Sequence, residues 1–169
     1  MKTLLSLALV LITSATIQSI AQDKKPASPK ETVEGSIDGT KVSIVYHRPS
    51  AKGRKIMGDL VPFGQVWRTG ANDATTITFD KAVNIEGKTL AAGTYSLFTI
   101  PGENEWTVIF NKDPKQWGAY KYDEKKDALR VTVKPGKVDF TETFTISIDK
   151  NGVNMSWENT SASFKIKKG

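Results

Sequence analysis

Apolar and polar residues alternate along several short stretches of the chain. In KVSIVYH, Val42, Ile44 and Tyr46 share one face, and the residues between them share the other. The same period of two recurs in ALRVTVK, TFTISID and VNMSWE, at residues 128–134, 143–149 and 153–158. Such alternation is typical of β-strands that are covered on one face.

Turn-forming pairs separate these stretches. Asn151-Gly152 lies between two alternating runs and is a strong hairpin signal, because both residues accept a positive φ. Residues 95–100 and 106–110 flank PGENE and predict a second hairpin. The pattern predicts nine or ten strands and no amphipathic helix of useful length. We therefore expect an all-β fold, a single antiparallel β-sandwich of jelly-roll type.

One long segment, residues 48–72, has no strand period. Connections of this length are uncommon unless they are functional or disordered. Its apolar residues would have to pack on the domain: Ile56, Met57, Leu60, Val61, Phe63, Val66 and Trp67. Its cations outnumber its one carboxylate, Asp59: Arg48, Lys52, Arg54, Lys55 and Arg68. We predict an ordered loop with one helical turn near residues 56–61.

The first residues have the layout of a secretory signal peptide. Lys2 precedes an apolar run over residues 4–12, and Ser19 and Ala21 precede a cleavage point ahead of Gln22. The run is too short to span a membrane, which takes about 20 residues. We expect a signal peptide at 1–21, a disordered leader at 22–31 and a β-sandwich domain at 32–169. Export to the periplasm or the extracellular space follows, with no transmembrane segment after cleavage.

Composition narrows the possible partners. The formal net charge is +6 and the chain has no Cys, so the exported domain must be held by its core and not by disulfides. Nucleic acid is not expected outside the cytoplasm. The positive charge suits a glycan or a small anion of the cell envelope, or it is simply a solvated surface. The oligomeric state stays open.

Few residues could support catalysis. His47 is the one histidine, and no G-x-S-x-G motif accompanies it, so a Ser-His-Asp triad is not indicated. One His and no Cys exclude a structural zinc site. The segment YDEKKD interleaves carboxylates with lysines and predicts a solvated turn rather than a calcium site. Its carboxylates are Asp123, Glu124 and Asp127. We predict no catalytic residue, no metal site and no cofactor.

The loop offers a candidate binding site around Arg68. A guanidinium binds carboxylate or phosphate through paired hydrogen bonds and stacks on aromatic rings. Alternatively, Arg68 ties the loop down by donating to backbone carbonyls or to Asp59. The exposed QWGAY segment would supply a neighbouring aromatic wall. The candidate binding residues are Arg48, Arg54, Trp67, Arg68, Asn72, Trp117 and Tyr120.

Three long blocks carry a family resemblance. They are YHRPSAKGRKIMGDLVPFGQVWRTGANDATTITF, IEGKTLAAGTYSLFTIPGENEWTVIFNK and QWGAYKYDEKKDALRVTV. The chain resembles the secreted bacterial family called domain of unknown function 2911, from about Ser28 to the C-terminus. The resemblance implies export and a single domain, and it supplies no catalytic or ligand-binding residues.

Three functions are compatible with these observations. We favour a non-catalytic envelope module that binds a glycan or a small anion through loop 48–72. One alternative is a hydrolase or lyase acting on an acidic sugar, in which Arg68 binds the anion and His47 or a carboxylate is the base. The other is a structural or protein-interaction module without a small ligand, which assembles through a sheet face or edge.

Overall fold

The computed structural model describes residues 27–169, in which ten β-strands form two antiparallel sheets. The strands are β1 Lys30–Ile37, β2 Thr40–His47, β3 Thr76–Phe79, β4 Val83–Ile85, β5 Lys88–Leu90, β6 Gly93–Ile100, β7 Trp106–Asn111, β8 Asp127–Val133, β9 Gly136–Ile148 and β10 Gly152–Lys168. One sheet has the order β1-β2-β3-β6-β7-β8, and the other has the order β5-β4-β10-β9. The prediction of an all-β antiparallel sandwich is confirmed.

Both predicted hairpins form. In the β6–β7 hairpin, Ile100 lies opposite Thr107. In the β9–β10 hairpin, Val153 lies opposite Ile148 across the Asn151-Gly152 turn. β10 then continues to Lys168, well beyond the stretch that alternation predicted, because its last residues pair with β4.

The core lies between the two sheets, where side chains from facing strands meet. Ile44 and Tyr46 on β2 are buried, as alternation predicted. The Tyr46 ring meets Phe144 of β9 edge-on, with 5.7 Å between ring centroids. Phe110 of β7 meets Phe164 of β10 in the same way at 5.5 Å. Most strands therefore bury one face, which is the condition under which a period of two appears in the sequence. β6 and β7 are buried on both faces, because Phe98 and Ile109 form a second, smaller core cluster with Ala74 and the partly buried Tyr122.

The N-terminal edge of the domain is formed by β1. This strand begins at Lys30, whereas the sequence predicted a domain start at residue 32. Lys30 lies opposite His47, and Glu31 lies opposite Tyr46. The predicted signal peptide and residues 22–26 of the predicted leader lie outside the described residues. Within residues 27–169, no helix has the length and apolar character needed to cross a membrane.

Candidate functional site

The long connection between β2 and β3, residues 48–75, is ordered by pairing with the rest of the domain. Isolated β-bridges join Ser50 to Thr143, Trp67 to Thr99 and Asp73 to Trp117. The Trp67–Thr99 bridge has N–O distances of 2.7 and 2.9 Å. The loop is thus attached to β9, to β6 and to the segment between β7 and β8.

Near residues 56–61 the loop makes hydrogen-bonded turns without a helix, so the predicted helical turn is wrong. The amide of Val61 donates to the carbonyl of Ile56 at 2.9 Å, which closes a wider ring than a helical bond does. Ile56 and Val61 point into the core, with 0% and 4% exposure.

Two apolar residues of this loop, Leu60 and Phe63, are more exposed than the sequence suggested, at 44% and 38%. The turn points Leu60 outward. Phe63 lies over the backbone of Gly58, where a Cβ would come within 2.7 Å of the Phe63 ring. Phe63 thus packs within its own loop.

Trp67 anchors the loop in the core. Its ring stacks on Trp157 of β10, with 5.9 Å between centroids and an interplanar angle of 18°. It also meets Phe144 of β9 edge-on at 5.1 Å and Trp106 of β7 at 6.5 Å. Its Nε1 donates to the carbonyl of Gly70 at 3.0 Å, so the polar edge of the buried indole is also satisfied.

Two of the three arginines in the loop hold the structure together. Arg48 donates from Nε to the Phe144 carbonyl at 3.2 Å and from one terminal nitrogen to Thr145 Oγ1 at 3.0 Å. Its other terminal nitrogen pairs with Glu31 at 3.2 Å. Arg54 donates to the carbonyls of Ala51 and Ser50 at 2.9 and 2.8 Å, which fixes its own turn.

Arg68 differs from these two arginines in its surroundings. Its Nε is shielded from solvent, and no atom of residues 27–169 accepts a hydrogen bond from it. No ion pair within the described part of the chain involves Arg68 either. Within residues 27–169 the tie to backbone carbonyls or to Asp59 is therefore not formed, and the buried Nε of a half-buried arginine has no acceptor.

The backbone that carries Arg68 adopts uncommon conformations. Thr69 and Asn72 have φ values of 55° and 59°, and Gly70 has a φ of 152°. A positive φ is rare for a β-branched residue such as Thr69. Its Oγ1 lies 3.1 Å from Thr99 Oγ1, which helps to hold the conformation. Backbone strain of this kind clusters at binding and catalytic sites.

Gly70 is required by close packing. A Cβ at this position would lie 2.9 Å from the carbonyl oxygen of His47 and 3.2 Å from Thr75 Oγ1. Both atoms belong to well-packed parts of the chain. The loop can therefore pass against the end of β2 only if residue 70 has no side chain.

Arg68 faces a cleft of about 480 Å³ between the loop and β10. The cleft is lined by Ala27, Ser28, Pro49, Ser50, Lys52, Arg54, Leu60, Val61, Pro62, Gln65, Val66, Trp67, Arg68, Gly70, Ala71 and Trp157. Three of these described lining residues are cations, Lys52, Arg54 and Arg68, and none is a carboxylate. Hereafter this is the Arg68 cleft.

A second cavity of about 390 Å³ lies at the end of β2, beside the segment between β7 and β8. It is lined by Lys30, Val45, His47, Asp73, Ala74, Thr76, Pro114, Lys115, Gln116 and Trp117. Hereafter this is the Trp117 cavity. His47, which the enzyme hypothesis assigns as the general base, lines this cavity and not the Arg68 cleft.

The structure distributes the candidate binding residues over several places. Arg54, Trp67 and Arg68 line the Arg68 cleft, while Arg48 is occupied by its structural bonds. Trp117 lines the other cavity. Two further candidates line neither. Asn72 accepts a backbone hydrogen bond from Gly118 at 3.0 Å, and Tyr120 is 87% exposed.

Sequence reasoning did not find several lining residues of the Arg68 cleft. Trp157 comes from β10, and Ser28 precedes β1, so both are far from the loop along the chain. The alternation in VNMSWE predicts that Trp157 points inward, and Trp157 is buried. Alternation cannot show which cavity an inward residue borders. Lys52 and Gln65 lie within the loop and carry no local signal that separates them from solvated residues.

The segment between β7 and β8, residues 112–126, is fixed by a polar network. Tyr122 donates to Asp127, and Arg130 donates to both of these residues, each at 2.6 Å. Burial and the neighbouring Asp127 carboxylate raise the pKa of Tyr122 to about 12. Asn111 at the end of β7 donates to the Asp123 carbonyl at 3.0 Å. The network gives this segment a defined backbone, although it contains only the short 3-10 helix Glu124–Lys126.

The described residues define a class of protein, an all-β fold whose long connection between β2 and β3 folds back to make a basic cleft. The family model described as "Protein of unknown function (DUF2911)" matches residues 28–166. The chain belongs to this family, as the sequence blocks indicated. The comparisons with curated proteins and with solved structures returned no match.

Proposed function

We propose that the protein is an exported, non-catalytic binding module of the cell envelope. The Arg68 cleft would hold the anionic group of a small ligand or of a glycan. The observation that carries the proposal is the Arg68 guanidinium, which is partly buried at a cleft and lacks an acceptor for Nε among residues 27–169.

Electrostatics support an anion as the ligand. Lys52 and Arg54 line the same cleft as Arg68, and the described lining contains no carboxylate to offset them. A carboxylate or phosphate placed here would form charge-assisted hydrogen bonds, which are roughly twice as strong as neutral ones. The partly enclosed cleft also lowers the local dielectric constant, which strengthens these bonds.

The rest of the lining suggests what else the ligand carries. Leu60, Pro62 and Val66 add apolar groups to the lining of the cleft, beside the three cations. Leu60 is 44% exposed, so a ligand could cover apolar surface that now faces water. A ring or short carbon chain bearing one acid group, such as a sugar acid, fits this combination.

Binding is better supported than catalysis. Hydrolysis or elimination needs a general acid or base within hydrogen-bond reach of the reacting group. The described lining of the Arg68 cleft has neither imidazole nor carboxylate. For this reason we place the enzyme hypothesis second.

The first test is calorimetric titration of the purified protein with glucuronate, galacturonate, citrate, phosphate and sulfate. At least one of these anions should bind, and Arg68→Gln should weaken its binding. The loss of a hydrogen bond to a charged group costs about 1.5–3 kcal/mol, or roughly 10- to 100-fold in Kd. Arg68→Lys should recover only part of this loss, since an ammonium group cannot form the paired contact.

Lys167→Gln is the matched control. Lys167 lies on the exposed end of β10 and its replacement lowers the net charge by the same amount. If both variants weaken binding equally, the effect is one of overall charge and the cleft is not the site. If none of the five anions binds, the proposal fails and the search moves to protein partners.

Export is tested separately, on protein recovered from the native host. Intact mass spectrometry should find a chain that begins at Gln22, in the periplasmic or extracellular fraction. Recovery of the full chain from the cytoplasm would contradict the assignment to the envelope.

A further inference from the structure

We infer that the Trp117 cavity is a second binding site, and that it takes a neutral saccharide. The Trp117 indole would stack on the carbon face of a sugar ring, and the polar residues of the cavity would bond its hydroxyl groups. This site is independent of the anion proposed for the Arg68 cleft, because the two linings share no residue.

Trp117 is an exposed aromatic side chain on a fixed backbone. Its exposure is 63%, whereas the other three tryptophans are at most 8% exposed. Hydrogen bonds on both sides fix its backbone: Gln116 O accepts from Ala74 N at 2.9 Å, and Gly118 N donates to Asn72 O at 3.0 Å. An exposed apolar side chain at a cavity, carried on a fixed backbone, is suited to a partner, since the backbone needs little ordering on binding.

Tyr120 is 87% exposed and packs on the backbone of the residue that follows Trp117. A Cβ at Gly118 would come within 2.9 Å of the Tyr120 ring, so that ring lies over the Gly118 backbone. Gly118 has a φ of 63°, and the missing side chain makes room for the ring. Tyr120 therefore lies over the residue that follows Trp117, outside the lining of the cavity.

The polar lining contains both donors and acceptors. Lys30 and Lys115 can donate, Asp73 can accept, and His47 can do either. Sugar hydroxyls both donate and accept, so they match a mixed lining. An anion would meet the Asp73 carboxylate here, and this distinguishes the Trp117 cavity from the Arg68 cleft.

Gln116 adds an acceptor that lacks a partner. It is 7% exposed, and its Nε2 donates to the Asp113 carbonyl at 2.8 Å and to Asn111 Oδ1 at 3.3 Å. These two acceptors fix the orientation of the amide. Its Oε1 is buried with no donor among residues 27–169. A buried acceptor without a donor costs free energy, and Gln116 lines the cavity, so a hydroxyl group of a bound saccharide that donates to Oε1 would recover this cost.

The test is saturation-transfer-difference NMR on the purified protein. The probes are the neutral trisaccharides cellotriose, mannotriose, xylotriose and tri-N-acetylchitotriose, each at millimolar concentration. At least one probe should receive saturation at its ring CH protons. Trp117→Ala should abolish that transfer, and Asp73→Asn should weaken it.

Two controls make the result decisive. Phe140→Ala removes another exposed aromatic side chain, 57% exposed on β9, and should leave the transfer unchanged. Arg68→Gln should also leave it unchanged, so failure of the anion site and failure of this one are separable. Saturation that survives Trp117→Ala in the folded variant, or none for any probe, would overturn the inference.

Discussion

At the scale of single residues, the arginines of the loop show that the same residue type can have two roles. Arg48 spans from the loop to β9 and satisfies a carbonyl and a hydroxyl there. Arg68 carries the same charge only twenty positions along, but it faces a cleft and has no such partners in the described chain. The neighbours, and not the residue type, decide which arginine stabilises the fold and which remains available for a ligand.

This difference predicts that mutating Arg48 and mutating Arg68 have different effects on the free energy of unfolding. Arg48→Ala should lower the free energy of unfolding by about 1–3 kcal/mol, because it leaves the Phe144 carbonyl without its side-chain donor. Arg68→Ala should change it by less than about 0.5 kcal/mol, or raise it, because no bond is lost. Urea denaturation of both variants checks this. Equal destabilisation would mean that Arg68 is structural after all.

Trp117 provides a second residue-scale prediction. It should supply most of the tryptophan fluorescence that acrylamide can quench, because Trp67, Trp106 and Trp157 are buried. Trp117→Phe should therefore reduce the Stern–Volmer slope strongly while leaving the far-UV circular dichroism unchanged. A slope that does not change would show that a different tryptophan is accessible, and the stacking surface would be misassigned.

At the scale of elements, the β9–β10 hairpin shows how one carboxylate organises a turn. Asp149 accepts from the amides of Asn151 and Gly152 at 2.7 and 3.0 Å and from the Asn154 side chain at 2.8 Å. The turn thereby satisfies the donors that the strands leave free. These hydrogen bonds, with that from Asn151 the largest contribution, lower the pKa of Asp149.

A pH dependence follows from this lowered pKa. The folded state favours the charged carboxylate, so its stabilisation is complete above the ordinary value of 3.8 and is lost as pH falls through the lower folded value. The stability difference between the wild type and Asp149→Asn should therefore shrink on acidification below pH 3.8. Denaturant unfolding of both proteins across this range measures it. A difference that stays constant would show that the charge does not matter.

At the scale of the whole molecule, one aromatic cluster joins the loop to both sheets. Trp67 from the loop packs against Trp106 of one sheet and against Phe144 and Trp157 of the other. The loop is therefore part of the core and not an addition to its surface. These contacts also fix the backbone position of Arg68 at the cleft, because Arg68 directly follows Trp67 in the chain.

Removing the centre of this cluster should weaken the entire domain. Trp67→Ala should lower the free energy of unfolding by about 3–5 kcal/mol, as expected for a buried tryptophan that leaves a cavity. Unfolding should remain a single transition, with coincident far-UV circular dichroism and fluorescence curves, because loop and sheets share one core. A separate early transition would indicate that the loop unfolds on its own.

The sequence by itself determined the strand content, the two hairpins tested above and the presence of one ordered basic loop. These features are local. Alternation indicates a strand with one covered face, and turn residues indicate the backbone angles of a hairpin. It could not say that Arg48 would meet Phe144, nor that Trp157 would border the cleft beside Arg68. It also grouped Trp117 with Arg68, although the two line different cavities. Those relations depend on how two sheets pack and where a long loop crosses them. Only the tertiary structure decides them, because the partners are distant along the chain and side-chain contacts between distant residues leave no periodic pattern.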